Sequence, residues 1–390
     1  MITILKYPEI NVFEKHEAIV EIRSDYSYFR TFHKIYLRIF NSANVLLGTE
    51  IINCKEISNG QGQLGEPLNY AIAKFDISAY FKNSEKHFPN YSMFSTTGIV
   101  QTNLVKSYYC EVFETYGIDN IEHLNETLAY INVIPGGFSK LFKESYSGST
   151  LEFLNRFLTW QPEKKISLDE FDFLYFYSYN SFNYIQPRIV LYFDDGTSQV
   201  LNLDPVSDNE YSIFSINCSF YANNLQNYET TDKKITKYEI SILNEQGETI
   251  IEKRTFHVNH DYFNNRKKFM YKNSIGGFDL IEFKGVSENS NEISKAAGSF
   301  KGIEKTFSSK YSKMQTANSG WLQYSFVDAK RAKTYIIEFI KSTEAFEILD
   351  NSIIPITIKS DKIKVHQSDK FIYSVEIEYQ HSIIDVGFFK

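Results

Sequence analysis

Turn signals set between alternating apolar runs constrain the fold of this chain more than any other feature. Apolar residues alternate on both sides of Asp194–Thr197, whose Asp–Gly pair is typical of a tight hairpin turn. The same arrangement surrounds Asn244–Gly247, and Lys34–Phe40 and Val45–Ile52 flank a third turn at Asn41–Asn44. Turns at this spacing predict antiparallel sandwiches rather than βαβ units.

Composition agrees with a sheet-rich fold. The chain has 390 residues and 16% aromatic side chains, including 28 Tyr and 33 Phe, and aromatic side chains fit half-buried pleated surfaces. We therefore predict a mainly β protein of tandem antiparallel β-sandwich-like domains with a few short helices. The length suits about two or three domains of roughly 100–200 residues each.

Breaks in the pattern indicate where three domains meet. Pro135–Gly137 interrupts the chain sharply, and a linker follows His260. We predict an N-terminal β domain at 1–134, a middle β-sandwich domain at 135–260 and a C-terminal β domain with a helix at 261–390.

Three segments carry helical signals. Tyr70–Phe81 has the pattern of a strand followed by a short helical turn, with Asp76 or Ser78 as the N-cap. Leu151–Trp160 and Lys330–Phe346 have apolar residues at helical spacing. We predict a helix in each of these two segments.

Charge and cysteine content exclude several classes of protein. The net charge is −7 and Arg266–Lys268 is the one compact basic cluster, whereas coating a duplex needs a Lys/Arg stripe. We therefore expect no nucleic-acid partner. Cys54, Cys110 and Cys218 have neither disulfide-framework nor metal-ligand spacing, which favours synthesis in a reducing compartment. Early charges argue against an N-terminal signal peptide, and without a run of about 18 apolar residues we expect no membrane insertion.

Two groups of residues could act as metal ligands or as acid–base catalysts, but a structural role explains the position of each group better. His257 and His260 lie three positions apart on a predicted strand, where side chains face opposite sides, so we prefer a polar strand end to a metal site. Asp169, Glu170 and Asp172 cluster near the start of the second unit. A solvated strand start is preferred over the paired carboxylates of a glycosidase.

A glycine-rich stretch and a cysteine also lack the context of a reactive site. Gly136–Lys140 has neither the spacer nor the Gly–Lys–Ser/Thr ending of a phosphate loop, and we interpret it as a boundary turn. Cys110 lies inside a predicted strand and is interpreted as a small core residue. No Gly-x-Ser-x-Gly elbow is present. We therefore assign no catalytic, cofactor-binding or metal-binding residue, expect no cofactor, and predict that the protein is not an enzyme.

The aromatic-rich stretch Phe171–Tyr184 has three interpretations. The first is a core strand with a solvent-facing aromatic row. The second is a protein–protein interface, because Tyr and Phe are enriched at interface centres. The third is a sugar-binding platform, because aromatic faces pack on sugar rings. The pattern does not separate the three.

Three stretches together carry a resemblance to a known class of proteins. They are Pro135–Phe138 with Arg156–Pro162, Phe269–Phe283, and a C-terminal unit of alternating strands that contains Ile353–Ile358. This arrangement resembles β-rich virion structural proteins of the tail or baseplate region, encoded by phages and prophages of Bacteroidetes bacteria. In such proteins an aromatic–Asn–x–x–Gly–Gly–aromatic–Asp turn opens a domain, and the matching residues here are Met270 or Tyr271, Asn273, Gly276, Gly277, Phe278 and Asp279.

A further segment and two departures define how far the resemblance extends. Tyr70–Phe81 is similar to an early segment of these proteins. The long polar region Ser287–Ser319 departs from them, and we predict Val286–Ser308 to be an exposed excursion. The chain also lacks a collagen-like or coiled-coil fibre segment. The resemblance implies a structural role, a place in the virion after synthesis in the host cytoplasm, and no enzymatic residues.

Three function classes follow from these observations. The leading hypothesis is a structural component of a phage or phage-like particle, in the tail or baseplate region, that forms a homo-oligomer or docks to other virion or tail proteins. The alternative is a carbohydrate- or receptor-binding module at a tail tip, with a host-surface glycan bound by the Phe171–Tyr184 aromatics. The third is a glycan-degrading enzyme that uses carboxylates.

Overall fold

The protein is mainly β, as the turn signals predict. The computed structural model describes residues 2–26, 32–54, 57–58, 69–81, 99–101, 104–119, 121–137, 155–161, 163–179, 182–207, 210–261, 266–301, 303–320, 322–323, 329–349, 352–359 and 372–382. Within these ranges 28 strands form several sheets, accompanied by two α-helices and one short 3-10 helix.

Two facing sheets make up the first third of the chain. In spatial order, the first sheet contains β1 (Ile2–Lys6), β3 (Ile19–Tyr26), β7 (Asn69–Asp76) and β6 (Ile57–Ser58). The second contains β2 (Asn11–Phe13), β11 (Ile131–Ile134), β9 (Lys106–Tyr116), β4 (Lys34–Asn41) and β5 (Leu46–Asn53), with β10 (Ile121–Thr127) paired to β9. Alternate side chains of β4 and β9 fill the space between the sheets.

The predicted short helical turn after β7 is present. Helix α1 spans Ser78–Phe81, and the backbone N–H of Ser78 donates to Asp76 Oδ1 at 3.0 Å. Asp76 is therefore the capping residue of the two candidates, because its carboxylate satisfies an N–H that the helix itself leaves unpaired. The predicted hairpin of β4 and β5 is also confirmed, with an antiparallel register that joins Lys34 to Asn53.

The middle third is a second sandwich. One sheet contains, in order, β12 (Lys164–Ser167), β19 (Thr249–Asn259), β18 (Ile235–Leu243), β14 (Tyr184–Phe193) and β15 (Ser198–Asn202), with β16 (Val206–Ser207) paired to β14. The facing sheet contains β13 (Phe173–Ser178), β17 (Ser212–Asn217) and β8 (Ile99–Gln101). Both predicted hairpins, β14–β15 and β18–β19, are confirmed. A 3-10 helix at Leu225–Tyr228 completes the unit.

The last third is built on one long sheet. Its seven strands are, in order, β21 (Phe278–Phe283), β20 (Lys267–Lys272), β25 (Ala345–Leu349), β26 (Ser352–Ile358), β28 (Glu376–His381), β23 (Ile303–Asn318) and β22 (Ser287–Phe300). Two short strands, β24 (Leu322–Gln323) and β27 (Ile372–Tyr373), pair separately. Helix α2 (Ala329–Lys341) packs Tyr335, Ile336 and Phe339 onto one face of the sheet.

Two helix predictions need correction. Helix α2 ends at Lys341, and Ala345 and Phe346 belong to β25 instead, because their side chains pack into the sheet cores. The predicted helix at Leu151–Trp160 is wrong over Asn155–Trp160, where the backbone bends past β13 and the N–H of Leu158 donates to Tyr175 O at 2.7 Å. Residues 151–154 lie outside the described ranges.

The polar excursion predicted at Val286–Ser308 is a two-stranded ribbon. Strands β22 and β23 pair antiparallel from Ser287–Ala317 to Phe300–Ile303. The segment Met314–Asn318 of β23 also pairs with β28, and this pairing joins the base of the ribbon to the other five strands of the sheet.

A shared apolar cluster holds the three thirds of the chain together. Its buried members come from the first third (Phe13, Leu104, Ile134), the middle third (Leu158, Phe173, Tyr175, Tyr177, Ile213) and the last third (Met270, Ile275, Phe278, Leu280, Phe346, Ile348). The described part of the chain contains no apolar helix with the length needed for a bilayer span.

Candidate functional site

Two glycine pairs pack against each other where the three thirds of the chain meet. Gly136 and Gly276 have φ angles of +88° and +91°, in the left-handed region that favours glycine. A Cβ on Gly276 would lie 2.1 Å from Pro135 O, and one on Gly136 would lie 2.4 Å from Ser274 O. The N–H of Gly137 donates to Ser274 O. These contacts require glycine on both sides, because a side chain would separate the two turns.

The second part of the first stretch of the resemblance, around Leu158, contacts the same turn. Asn273 Oδ1 accepts hydrogen bonds from the N–H groups of Ile275 and Gly277, at 3.1 and 3.0 Å. Asn273 Nδ2 donates to Leu158 O at 2.8 Å. A Cβ on Gly277 would lie 2.3 Å from the same oxygen. We call Pro135–Gly137, Asn155–Gln161 and Asn273–Asp279 together the junction.

The buried carboxylate of Asp279 lies inside the junction. It accepts hydrogen bonds from Thr159 Oγ1 at 2.5 Å and from Asn273 Nδ2 at 3.0 Å. Burial raises the pKa of Asp279 to about 7, against the opposing effect of these two donors. Trp160 Nε1 also donates to Ser274 Oγ at 3.0 Å. The Asp of the turn motif is therefore a structural acceptor that ties the middle of the chain to its last third.

A buried cluster of opposite charges adjoins the junction. Lys164 Nζ lies 2.6 Å from Glu170 Oε1 and 3.1 Å from Asp172 Oδ2, and it donates to Leu280 O at 3.2 Å. Both carboxylates are almost fully buried. Because an unpaired charge in such a position is strongly destabilising, the ammonium group is required where it lies.

The cluster continues into the last third of the chain. Glu282 Oε2 lies 3.1 Å from Lys284 Nζ, and Glu282 Oε1 lies 3.2 Å from Arg266 Nη1. Lys284 Nζ donates to Ser167 Oγ at 2.9 Å, and Arg266 also forms an ion pair with Asp169. We call Lys164, Glu170, Asp172, Glu282, Lys284 and Arg266 the charge cluster.

The pKa values in the charge cluster follow from burial and from the neighbouring ions. Burial raises the pKa of Asp172 above its usual range, although Lys164 opposes the shift. Burial acts on Glu170 in the same direction, but the Lys164 and Lys284 charges outweigh it and lower its pKa. The two carboxylates outweigh burial at Lys164 and raise its pKa. The ammonium group therefore stays charged between its partners.

The predicted solvated strand start is wrong for two of its three carboxylates. Glu170 and Asp172 are buried and pair with Lys164, whereas the Asp169 side chain is 48% exposed. The partners of Glu170 and Asp172 include residues more than a hundred positions away, such as Lys284, which a local acidic pattern does not reveal. The carboxylates contact cations and backbone groups rather than lining an open cleft.

Of the three interpretations of Phe171–Tyr184, the core strand is confirmed for β13, but the solvent-facing aromatic row that this interpretation included is absent from β13. Every residue of β13 is buried, since Leu174 and Phe176 face the core of the middle sandwich while Tyr175 and Tyr177 face the shared cluster. Tyr177 OH donates to Asn11 Oδ1 at 2.7 Å. Strand β13 is therefore an internal interface between parts of this chain, and its side chains offer no platform for a sugar.

The two histidines of the HVNH sequence bind separate groups. His257 Nε2 lies 3.0 Å from Glu163 Oε2, and His260 Nε2 lies 3.1 Å from Ile235 O. Throughout the described ranges, no group of three or more His, Cys, Asp or Glu side chains is placed to hold a metal ion.

The remaining candidates have structural positions. Cys110 is fully buried in the core of the first sandwich, as predicted, and burial raises the pKa of its thiol to about 12. Gly136 and Gly137 form the junction turn, whereas residues 138–140 of the predicted boundary turn lie outside the described ranges.

A buried Ser–Glu–His group has no local signal in the sequence, because Glu114 is far along the chain from Ser24 and His33. Ser24 Oγ donates to Glu114 Oε2 at 2.9 Å, and His33 Nε2 lies 3.2 Å from the same oxygen. In nucleophilic triads the imidazole lies between the hydroxyl and the carboxylate. Here the carboxylate is in the middle, so the group does not have the order of a nucleophilic triad. It is a buried polar contact in which Ser24 of β3 connects to Glu114 of β9, in the facing sheet of the first sandwich.

The outer face of the first sandwich is a second candidate site, of a different kind. Three rows cross β9, β4 and β5 on this face: Tyr109–Phe40–Leu46, Glu111–Arg38–Thr49 and Phe113–Tyr36–Ile51. We call these nine residues the outer face. The first and third rows are apolar or aromatic, and the middle row is polar.

The aromatic rings of the outer face are ordered by mutual contacts. Phe40 stacks on Tyr109 with ring centroids 5.0 Å apart, and Tyr130 lies 5.2 Å beyond Tyr109. The Arg38 guanidinium lies 4.3 Å from the centroid of Phe113 and 2.7 Å from Glu122 Oε2. Such a combination of Tyr, Phe and Arg is typical of interface centres. Alternation within β4 and β9 was the only sequence signal for this face, and it does not reveal which side meets solvent.

Comparison with known proteins adds little to these observations. No protein-family model and no curated protein matches the chain. Among solved structures, the chain is similar to dimeric latent PorU from Porphyromonas gingivalis, with 8% sequence identity and a TM-score of 0.19. The match covers 90% of this chain and 32% of that one, so this chain spans about a third of the PorU chain. At this TM-score the match carries no argument about fold or function.

Proposed function

We propose that the chain is a structural component of a phage or phage-like particle, in the tail or baseplate region, that acts through protein–protein assembly. The observation that carries the proposal is the junction. The described parts of two stretches that bear the resemblance, Pro135–Gly137 with Arg156–Gln161 and Phe269–Phe283, meet there in one set of contacts.

The chemistry of the junction supports a mechanical role. The polar groups of Asn273, Asp279 and Thr159 are used in internal hydrogen bonds, and the neighbouring charges of Lys164 and Glu170 neutralise each other. A buried polar network that is fully paired rigidifies the elements it joins. A component that transmits force or holds position within a particle needs such fixed geometry.

The surface supports assembly as well. The outer face combines stacked aromatic rings with exposed aliphatic residues on β5. Permanent assemblies bury large and hydrophobic interfaces, and contiguous apolar patches mark interaction sites.

Purified particles provide the direct test. The chain would be expressed with a C-terminal epitope tag in a host that produces the particle, and particles would be isolated by density-gradient centrifugation. We expect the tagged chain in the particle fractions by mass spectrometry, and antibody labelling at the tail or baseplate in negative-stain images. A tag fused to an unrelated cytosolic protein is the control for trapping. A chain found only in the free cytosolic fraction would contradict the proposal.

A further inference from the structure

Strand β5 is a terminal strand that carries little of the protection usual at a sheet edge. It pairs with β4 on one side, and no described strand pairs with it on the other. Natural edge strands are blunted by outward charges, by Pro or by bulges. One bulge is present at Leu47, where Ile39 pairs with Gly48 but Phe40 pairs with Leu46. Beyond the bulge, Gly48–Asn53 contains neither Pro nor Lys.

The one charge of β5 points away from the outer face. Glu50 Oε1 accepts a hydrogen bond from Tyr80 OH at 2.5 Å on the inner side of the strand. Tyr80 also covers Gly48, since a Cβ there would lie 2.2 Å from Tyr80 Cε1. The outward positions are therefore uncharged. Leu46, Leu47 and Ile51 are exposed at 48%, 40% and 54%, with Thr49 also exposed between them.

The pattern of the outer face matches itself under a two-fold rotation. If β5 of one copy lies antiparallel to β5 of another with Thr49 opposite Thr49, Ile51 at the end of the third row lies opposite Leu47, the bulge residue beside the end of the first row. Apolar ends then meet apolar ends, at Leu47 and Ile51, and aromatic residues flank both contacts. Cross-strand apolar pairs of this kind stabilise a sheet.

The charged residues of the outer face lie behind the contact in the same arrangement. The middle row of one copy, Glu111–Arg38–Thr49, meets its own equivalent, so that the charges along the combined row run negative, positive, neutral, neutral, positive, negative. Each Arg38 keeps its own partner, Glu122. Glu50 would face Gly48 of the other copy, so the two Glu50 carboxylates lie diagonally rather than directly opposite, and each accepts a hydrogen bond from its own Tyr80 hydroxyl.

We propose that two copies of this chain associate through β5, in antiparallel register centred on Thr49, to form a two-fold dimer with one continuous sheet. The residues required by the proposal are Leu47, Thr49 and Ile51 on the edge, and Tyr36, Arg38 and Phe40 behind it. An isologous contact of this type closes on itself and leaves the rest of the surface free for other partners. The inference deepens the proposed assembly function by naming a second copy of the chain as one partner.

Solution mass and a cross-link test the interface. The wild-type chain is expected to sediment at twice its monomer mass of 45.5 kDa. Ile51→Lys places a cation on the outer face of the edge and is expected to halve the measured mass. Ile72→Lys, at an exposed isoleucine of β7 on the opposite sheet, is the matched control and should leave the mass unchanged. A monomeric wild-type chain, or a dimer that persists in Ile51→Lys, would overturn the proposal.

A disulfide tests the register without depending on the stability of the lysine variant. Directly opposed residues of an antiparallel pair have Cα atoms about 4.5–5.5 Å apart, within the range a disulfide spans. In a Cys54→Ser background, Thr49→Cys is expected to give a covalent dimer under mild oxidation. Val200→Cys, on the terminal strand β15, is the control and should stay monomeric. Absence of the Thr49 cross-link, or equal cross-linking at Val200, would count against the register.

The β5 dimer and the proposed particle function can be tested independently, because each can fail while the other holds. A chain that enters particles but is monomeric in solution and fails to cross-link would retain the particle assignment and lose the β5 dimer. A cross-linked dimer that never enters particles would retain the dimer and lose the particle assignment.

Discussion

Gly276 occupies a position where neither its backbone angle nor its surroundings admit a side chain. Its φ is +91°, and a Cβ would lie 2.1 Å from Pro135 O. Gly196, in the β14–β15 turn, has a similar φ of +81° with nothing within 4 Å of an added Cβ. Both positions disfavour a side chain through their backbone angle, but only Gly276 also excludes one by steric collision, so comparing the two glycines distinguishes the two effects.

Gly276→Ala is expected to destabilise the protein more than Gly196→Ala. The left-handed conformation costs a non-glycine residue about 1–2 kcal/mol at either position. At Gly276 the collision with Pro135 O adds about 1–3 kcal/mol, the usual cost of overpacking. Urea denaturation of the two variants measures the difference. Equal shifts of the midpoint would mean that the junction relaxes to accept the methyl group.

Asp279 gives the junction a dependence on pH. Its pKa is raised from 3.8 to about 7 in the folded protein, chiefly by burial. Between these two values the folded state holds a proton that the unfolded state has released, so this residue makes the folded state less stable as pH rises from about 4 to about 7. Below and above that window its contribution is constant.

Asp279→Asn is expected to remove this pH dependence. Relative to the variant, the wild-type protein should lose about 2–3 kcal/mol of unfolding free energy between pH 5 and pH 8, because Asn stays neutral. The measurement is the urea midpoint of both proteins at the two pH values. Other ionisable groups are common to both proteins and cancel in the difference. Parallel pH profiles would show that the hydrogen bonds of Thr159 and Asn273 keep the carboxylate charged at both pH values.

At the scale of elements, β13 contributes side chains to two different apolar cores, one on each of its faces. Leu174 and Phe176 pack into the middle sandwich, and Tyr175 and Tyr177 pack into the shared cluster. A strand buried on both faces has no alternation of polar and apolar residues, because neither face meets water. An aromatic run of this kind is therefore compatible with a core as well as with a binding surface.

Tyr177→Ala is expected to reduce stability strongly, by about 3–5 kcal/mol, the usual cost of truncating a buried aromatic side chain. The variant also leaves Asn11 without the hydroxyl at 2.7 Å. Tyr184→Ala, in the same aromatic stretch but 40% exposed, should change stability by less than about 0.5 kcal/mol. Thermal unfolding of both variants checks the contrast. A mild effect at Tyr177 would mean that β13 is not a packed internal strand.

At the scale of the whole molecule, the shared cluster and the charge cluster couple the three thirds of the chain. The shared cluster takes buried side chains from all three, and Ser167, Lys284 and Arg266 connect the middle third to the last. Strand β8 adds a backbone connection, since it lies in the first third of the sequence and pairs with β17. The division into three domains remains a prediction from the sequence.

We expect a single calorimetric unfolding transition. Leu280→Ala in the shared cluster should lower the midpoint of that transition, since such a truncation costs about 2–5 kcal/mol. Ile240→Ala, in the core of the middle sandwich, is the informative comparison, because it too should shift the entire transition. If Ile240→Ala instead splits off an early peak while the remainder keeps its midpoint, the thirds unfold independently.

Local signals in the sequence predicted the local elements well. The hairpins at Asp194–Thr197 and Asn244–Gly247 depend on neighbouring residues alone, and both form as predicted. The cap at Asp76 is equally local. The helix predicted at Leu151–Trp160 failed over its described part because Leu158 and Asn273 pair with distant backbone and side-chain groups that propensity does not include.

The sequence by itself determined the mainly β class, the hairpins and the short capped turn after β7, because alternation and turn chemistry act between residues close in the chain. The tertiary structure alone decided that β13 is buried on both sides, that Glu170 and Asp172 are paired inside the protein, and that the aromatic rows of β4 and β9 face outward. Each of those outcomes depends on what lies across a sheet. Burial and charge pairing also depend on residues far along the chain, such as Lys284 beside Glu170, and their approach is a property of packing rather than of any local pattern.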